Sequence, residues 1–263
     1  MIKVLLASDG GAASAAALRW VIDRVGHGPA EVKIVDVVDA TAPDAAERGA
    51  RVRGMARLLE LVAPSLRVGV TEARGDHAAL LARSRDAILV VGAHRGDRRA
   101  APFVDLAVFG ARGPVVVVPS EWICRQGPVL VGVGAEDEET DTLAFAESEA
   151  AAHGADVRMI HAWETTGTGE LPPAWDFGTE SIPERQGRAL TRLAEGERES
   201  HPGLTVTAEA VQGHVVARLS NAARTASLLV VGRSHRNAVI RGVFGSTASG
   251  LLAALPCPVA VVP

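Results

Sequence analysis

The chain has 263 residues, 48% hydrophobic and 22% charged, which is enough apolar material for one large core or two ordinary ones and excludes a disordered chain. Its 27 basic and 31 acidic side chains leave a net charge of −4, with no basic run to make a nucleic-acid footprint. No apolar stretch reaches the roughly 20 residues of a membrane span; the first residues enter a strand pattern without a signal-peptide layout, and Cys124 and Cys257 are too few for a disulfide scaffold or a cysteine zinc site, so a reduced, cytoplasmic setting is expected.

Residues 3–7 form a short apolar run that closes on Asp9-Gly10-Gly11, a turn signature. The helix expected over 12–25 gathers Ala16, Trp20, Val21 and Val25 on one face, with Ser14 an ordinary exposed residue. A second run at 31–38 precedes a helix over 44–62, where Pro43 suits a first turn and Val52, Met55, Leu58, Leu59 and Val62 make a stripe. Further apolar runs at 66–73, 87–91 and 115–118, with a helix over 77–84 before the fourth, complete five strands. Short Val- and Ile-rich runs alternating with amphipathic segments predict βαβ units and a parallel sheet covered on both faces.

The pattern then starts again. Val4-Leu5-Leu6-Ala7 is answered by Val129-Leu130-Val131-Gly132, and Ile88-Leu89-Val90-Val91-Gly92 by Leu228-Leu229-Val230-Val231-Gly232. Pro114-Val115-Val116-Val117-Val118-Pro119 is answered by Pro258-Val259-Ala260-Val261-Val262-Pro263, and a helix over 215–225 takes the place of the one over 77–84. Three landmarks in the same order make an internal repeat with its boundary near 121–127.

The spacing between paired landmarks widens along the chain, which locates two insertions in the second half. One lies in 164–182, where Thr165-Thr166-Gly167-Thr168-Gly169-Glu170 leads to Pro172-Pro173, Trp175 and Phe177. Ligands of open parallel sheets bind beyond the carboxyl ends of strands, so this segment reads either as a lid or as a surface loop packing its aromatics on the other half. The other lies between the fourth and fifth strands, where Gly232-Arg233-Ser234-His235 runs on to Gly245-Ser246-Thr247 ahead of an apolar-faced helix. Ser246 is expected to cap that helix, and glycine with free helix-end amides suits a phosphate. The first-half equivalent is shorter, lacks the Gly-Ser pair and carries Asp97 and Asp105, so no phosphate is expected there.

The strand ending in Asp9-Gly10, the Gly75-Asp76 pair, the Val-Val-Gly strands at Gly92 and Gly232, and the two Pro-bracketed closing strands together resemble universal stress protein domains, two in tandem over nearly the whole chain. The resemblance implies two five-stranded parallel-sheet α/β sandwiches, Rossmann-like and of the adenine nucleotide alpha hydrolase type, over 1–122 and 127–263. It also implies that the two closing strands meet in an antiparallel pair, so that the linked halves form a pseudo-dimer. The nucleotide-binding branch carries a glycine, two residues, a glycine, nine residues, then glycine and serine or threonine. Gly232, Gly245 and Ser246 fit that spacing, while His235 stands at the middle glycine. By the same resemblance, Asp9 matches the family's aspartate near adenine and ribose, and Gly134 replaces it in the second half. The contact at the end of the second strand falls on Val37 and on Ala162.

Other signals lead elsewhere. Gly132-Val133-Gly134 is followed by Glu136, Asp137, Glu138 and Glu139, which would repel a pyrophosphate, so a dinucleotide fingerprint fails. No two of the eight histidines are spaced as metal ligands on a helix, and His161 is expected in strand packing. Arg233, Arg236 and Arg241 flank the glycine-rich stretch, either neutralising phosphate or solubilising a surface. The expected function is a stress-response regulator, not an enzyme beyond at most a very slow ATPase. It holds ATP or AMP, with magnesium as an option, on Gly232, Gly245, Ser246, Thr247 and His235, with Gly134 and Ala162 at the base end. The alternative is a nucleotide-free interaction module. No nucleic-acid or membrane partner is expected, and a homodimer is open beyond the internal pairing.

Overall fold

The computed structural model describes residues 1–26, 29–37, 45–72, 84–96, 101–134, 140–164, 182–233 and 246–263. The first half supplies β1 (Ile2–Ser8), α1 (Ala12–Val25), β2 (Ala30–Asp36), α2 (Ala45–Val62), β3 (Arg67–Glu72), β4 (Ile88–Ala93), α3 (Ala101–Gly110) and β5 (Val115–Pro119). The second supplies β6 (Val129–Gly132), α4 (Thr140–His153), β7 (Val157–Trp163), α5 (Ile182–Ser200), β8 (Val206–Gln212), α6 (Val215–Ala222), β9 (Leu228–Gly232), α7 (Ser246–Ala254) and β10 (Val259–Val262).

All ten strands lie in one sheet of order β3-β2-β1-β4-β5-β10-β9-β6-β7-β8. Within each half the pairs are parallel, because each strand is reached by a crossover rather than a hairpin. Among the described residues the one antiparallel pair is β5 with β10, matching Val117 to Val259, Val116 to Ala260 and Val115 to Val261. Each of these strands would leave an apolar edge if its half stood alone; here every side chain of both is buried. The expected α/β sandwich halves and their union through the closing strands are thus both present.

Strand alternation sorts the apolar residues into two layers. Val4, Leu6, Ile34, Val131 and Met159 pack beneath α1, α2, α4 and α5 on one face. Leu5, Leu89, Leu130, Leu229 and Val231 pack beneath α3, α6 and α7 on the other. The near-continuous apolar runs are therefore strands covered on both sides. The run at 66–73 differs: β3 is an outer strand, so Val70 is exposed although apolar. The expected helix over 77–84 lies outside the described residues apart from Ser84, which opens a 3-10 turn to Asp86. The helix over 215–225 is α6 followed by a 3-10 turn, Ala223–Thr225.

Polar contacts also join the halves. Arg24 of α1 and Glu149 of α4 form an ion pair of 2.6 Å with both side chains almost wholly buried. Arg233, just past β9, donates to the carbonyls of Val108 and Ala111 at the end of α3. Arg95, two residues past β4, donates to the carbonyl of Pro256, two residues past α7. Arg233 thus meets the carboxyl end of the other half's last helix, where unpaired carbonyls and the helix dipole attract a cation.

Among the described residues no helix is long and apolar enough to cross a membrane. Both cysteines are free; Cys124 is exposed and Cys257 buried. Burial pushes the Cys257 thiol up to about 12, and the hydrogen bond from Cys124 to Asp23 raises that thiol as well. A disulfide-exchange reagent at neutral pH is therefore expected to label one thiol per native chain, more slowly than an unfolded cysteine, and two after denaturation. Labelling of both in the native protein would contradict this packing.

Candidate functional site

In each half the strand order reverses direction between the first and fourth strands, β1 and β4 or β6 and β9. Such a divergence opens a crevice beyond the carboxyl ends of the strands, the usual ligand position in a doubly wound sheet. The antiparallel join of β5 and β10 sends the two carboxyl edges to opposite sides of the sheet.

In the first half the turn after β1 makes its hydrogen bonds within itself. The Asp9 carboxylate accepts hydrogen bonds from the Gly11 amide at 2.8 Å and from the Ser14 hydroxyl at 2.7 Å. Ser14, expected to be exposed, is instead buried, because its hydroxyl also accepts from the Asp9 amide and ties the turn to the first turn of α1. Gly10 takes a φ of +72°, the left-handed conformation that lets the chain reverse there. A Cβ on Gly92 would lie 2.0 Å from the Ala13 carbonyl oxygen, so α1 rests directly on the end of β4. Val37 is half-buried past β2, its amide donating to the Ser8 carbonyl. The fifth-strand helix of this half, α3, opens with Ala101-Pro102, and proline removes one first-turn amide.

In the second half Gly134 follows β6, and Ala162, next to the end of β7, pairs with Val211. Ala162 shares its face with Ile160, the face covered by α6 and α7. Ser246 is the first residue of α7 and Thr247 the second, half-buried. Ser246 therefore lies in the first turn of the helix and not one position ahead of it as a cap. Gly232 ends β9 beside Val262. Alternation puts it on the face of Val230, as Gly92 is on the face of Val90. Gly245 and His235 lie outside the described residues, as do Arg236, Arg241 and the insertion at 165–181.

Arg233 departs from the expectation of a phosphate neutraliser or a surface residue. Its guanidinium is committed to the α3 carbonyls, and desolvation there lowers its pKa. His161 is buried, as expected of strand packing, but it is also bonded: Nδ1 lies 2.9 Å from the Val133 carbonyl, and the ring stacks on Trp163 with centroids 5.9 Å apart. The Nε2 of His161 and the indole Nε1 of Trp163 are buried without a hydrogen-bond partner. His161 thus ties β7 to the residue after β6, immediately before Gly134. Its sequence signal is the period of two between positions 161 and 163 at a strand's carboxyl end. Glu164 then accepts from the Val215 amide and anchors the start of α6.

This architecture defines a class: doubly wound α/β sandwiches, repeated and joined through their last strands, with a switch point in each half. The model of the Universal stress protein family matches residues 127–263, so the chain belongs to the universal stress protein family. A curated universal stress protein of Mycobacterium tuberculosis is 28% identical over 188 residues, covering 68% of this chain and 59% of the relative. A second from the same organism is 28% identical over 152 residues, covering 56% and 50%. The matches thus span little more than half the length of those relatives. Among solved structures, a universal stress protein from Archaeoglobus fulgidus has a TM-score of 0.69 at 16% identity, covering 99% of this chain and 97% of its own. A putative universal stress protein from Pseudomonas aeruginosa has a TM-score of 0.68 at 17% identity, covering 99% and 92%. At such identities the likeness concerns the fold.

Proposed function

We propose that the chain is a cytoplasmic stress-response regulator that binds an adenine nucleotide, ATP or AMP, in a second unit over 127–263, while the first unit, 1–122, binds none. The observation that carries this reading is the start of α7 at Ser246-Thr247, directly behind the Gly232 to Gly245-Ser246 spacing. First-turn amides have no partner within their own helix and favour an anion. The matching helix of the first unit begins with Ala101-Pro102 and carries Asp105, and its Asp9 already serves Gly11 and Ser14. In this reading Gly245, Ser246 and Thr247 hold phosphate, with His235 beside it, and Gly134 and Ala162 line the base end. Magnesium, where it accompanies ATP, would be held by phosphate oxygens and water. No residue here is assigned to water activation, so the reading is of a binding protein.

A second reading, a nucleotide-free interaction module, draws on two observations: Arg233 is turned to α3, and Gly134 stands where an acid would anchor the ribose. Calorimetric titration of the purified chain with ATP and with AMP separates the two. The first reading expects one nucleotide per chain and its loss in Gly245→Val, with the urea midpoint unchanged. The absence of heat at about 1 mM nucleotide, near the weakest affinity a 4.1 kcal/mol interaction allows, would leave the second. Unchanged affinity in Gly245→Val would place the site elsewhere.

A further inference from the structure

On the α4–α5 face, away from both switch points, three metal-ligating side chains meet. Glu147 projects from α4, Glu197 from the last turn of α5, and His201 stands just beyond that helix. The Nδ1 of His201 lies 3.3 Å from Glu147 Oε1 and 3.6 Å from Glu197 Oε2, and one ligand atom from each residue falls within 4.8 Å of the others. Two donors of a tetrahedral zinc ion, each about 2.0–2.2 Å from the metal, stand roughly 3.3–3.5 Å apart. The backbone fixes this grouping: Glu197 and His201 are one helical turn apart, the His201 amide donates to the Glu197 carbonyl, and Pro202 ends the helix there.

A surface charge cluster needs no ion, but Glu147 is not a surface residue. It is 8% exposed, and its Oε1, the atom turned to His201, is buried without a hydrogen bond. A cavity of about 860 Å³, walled by Ser148, Ser200, Pro202 and Gly203, reaches both Glu147 and His201 and would give a fourth ligand access.

We propose that Glu147, Glu197 and His201 form a binding site for a divalent transition ion of the zinc type, with three protein ligands and one position open to water. One imidazole and two carboxylates make a borderline donor set that suits zinc above magnesium or calcium. The site stands on α4 and α5, independent of the nucleotide reading, and pins the two helices to each other.

The test is calorimetric titration of the full chain with zinc chloride, alongside Glu147→Gln, His201→Asn and a control carrying Cys124→Ser with His153→Gln. The native chain and the control are expected to bind one zinc. Both site variants should bind at least tenfold more weakly, a change of about 1.4 kcal/mol or more. Glu147→Gln is isosteric and removes a buried charge, so its far-ultraviolet circular dichroism should match the native chain. The proposal is overturned if the native chain takes up no zinc at about 100 μM, a level that would stabilise any micromolar site. It is equally overturned if a folded Glu147→Gln or His201→Asn binds zinc as tightly as the native chain.

Discussion

Arg24→Ala is expected to lower the stability of the chain by about 3–5 kcal/mol, the usual cost of leaving one member of a buried ion pair alone. Arg24 and Glu149 are 3% and 2% exposed and meet at 2.6 Å through Nε and Oε2, and Glu149 Oε1 has no hydrogen bond. Burial already raises the Glu149 carboxyl while Arg24, and to a smaller extent His153, lowers it, so removing the arginine strengthens the upward push. The sign follows from linkage. A carboxyl whose folded pKa lies above its unfolded value supports the fold below the unfolded value and loses that support as pH rises through the folded one. The deficit of Arg24→Ala should therefore be largest above neutral pH and shrink towards pH 4, where Glu149 is protonated in both states. Because α1 and α4 belong to different halves, the variant tests the junction between them. Replacing both partners, as Arg24→Met with Glu149→Leu, should recover most of the loss, since well-packed apolar residues often equal or exceed a buried pair. Urea unfolding across pH decides this; a single variant as stable as the native chain would show that the pair is not desolvated.

The second large effect is expected at Gly92. A methyl group there would sit 2.0 Å from the Ala13 carbonyl oxygen and 2.8 Å from the Ser14 amide nitrogen, and neither is a flexible side-chain end. The first turn of α1 must move away from β4, so Gly92→Ala should cost about 3 kcal/mol, the upper end of ordinary overpacking. The same substitution at Gly54, exposed within α2 with nothing within 4 Å of the added carbon, should instead stabilise by about 0.5–1 kcal/mol through helix propensity. Opposite signs for one chemical change isolate the close approach at β4. Equal effects in thermal unfolding would mean that α1 does not rest on Gly92.

Much of the scaffold was legible because its signals are local or repeated. The apolar runs around Val4, Leu89 and Val116 mark buried strands, since a central parallel strand meets helices on both faces. The two Pro-bracketed closing runs announced an apolar edge in need of a partner. The candidate site was less legible. Ser14 and His161 look unremarkable in the sequence and Arg233 reads as a phosphate or surface residue, yet each takes its role from a group brought near by folding: Asp9 across a turn, α3 from the other half, Val133 just past β6. The Glu147–Glu197–His201 grouping was missed for the same reason. A search for histidine pairs passes over one histidine that completes its set with carboxylates on two helices.

Periodicity and turn chemistry act over neighbouring residues, so the repeat, the α/β alternation, the closing strands and the glycine-serine spacing ahead of the last helix are all written locally in the chain. Folding, by contrast, commits Asp9 to its own half, sends Arg233 to a helix of the other, and selects which acids face each other across α4 and α5. Those outcomes depend on burial and on distances between segments far apart in the chain, where desolvation, and not residue type, sets what a charged group will bind.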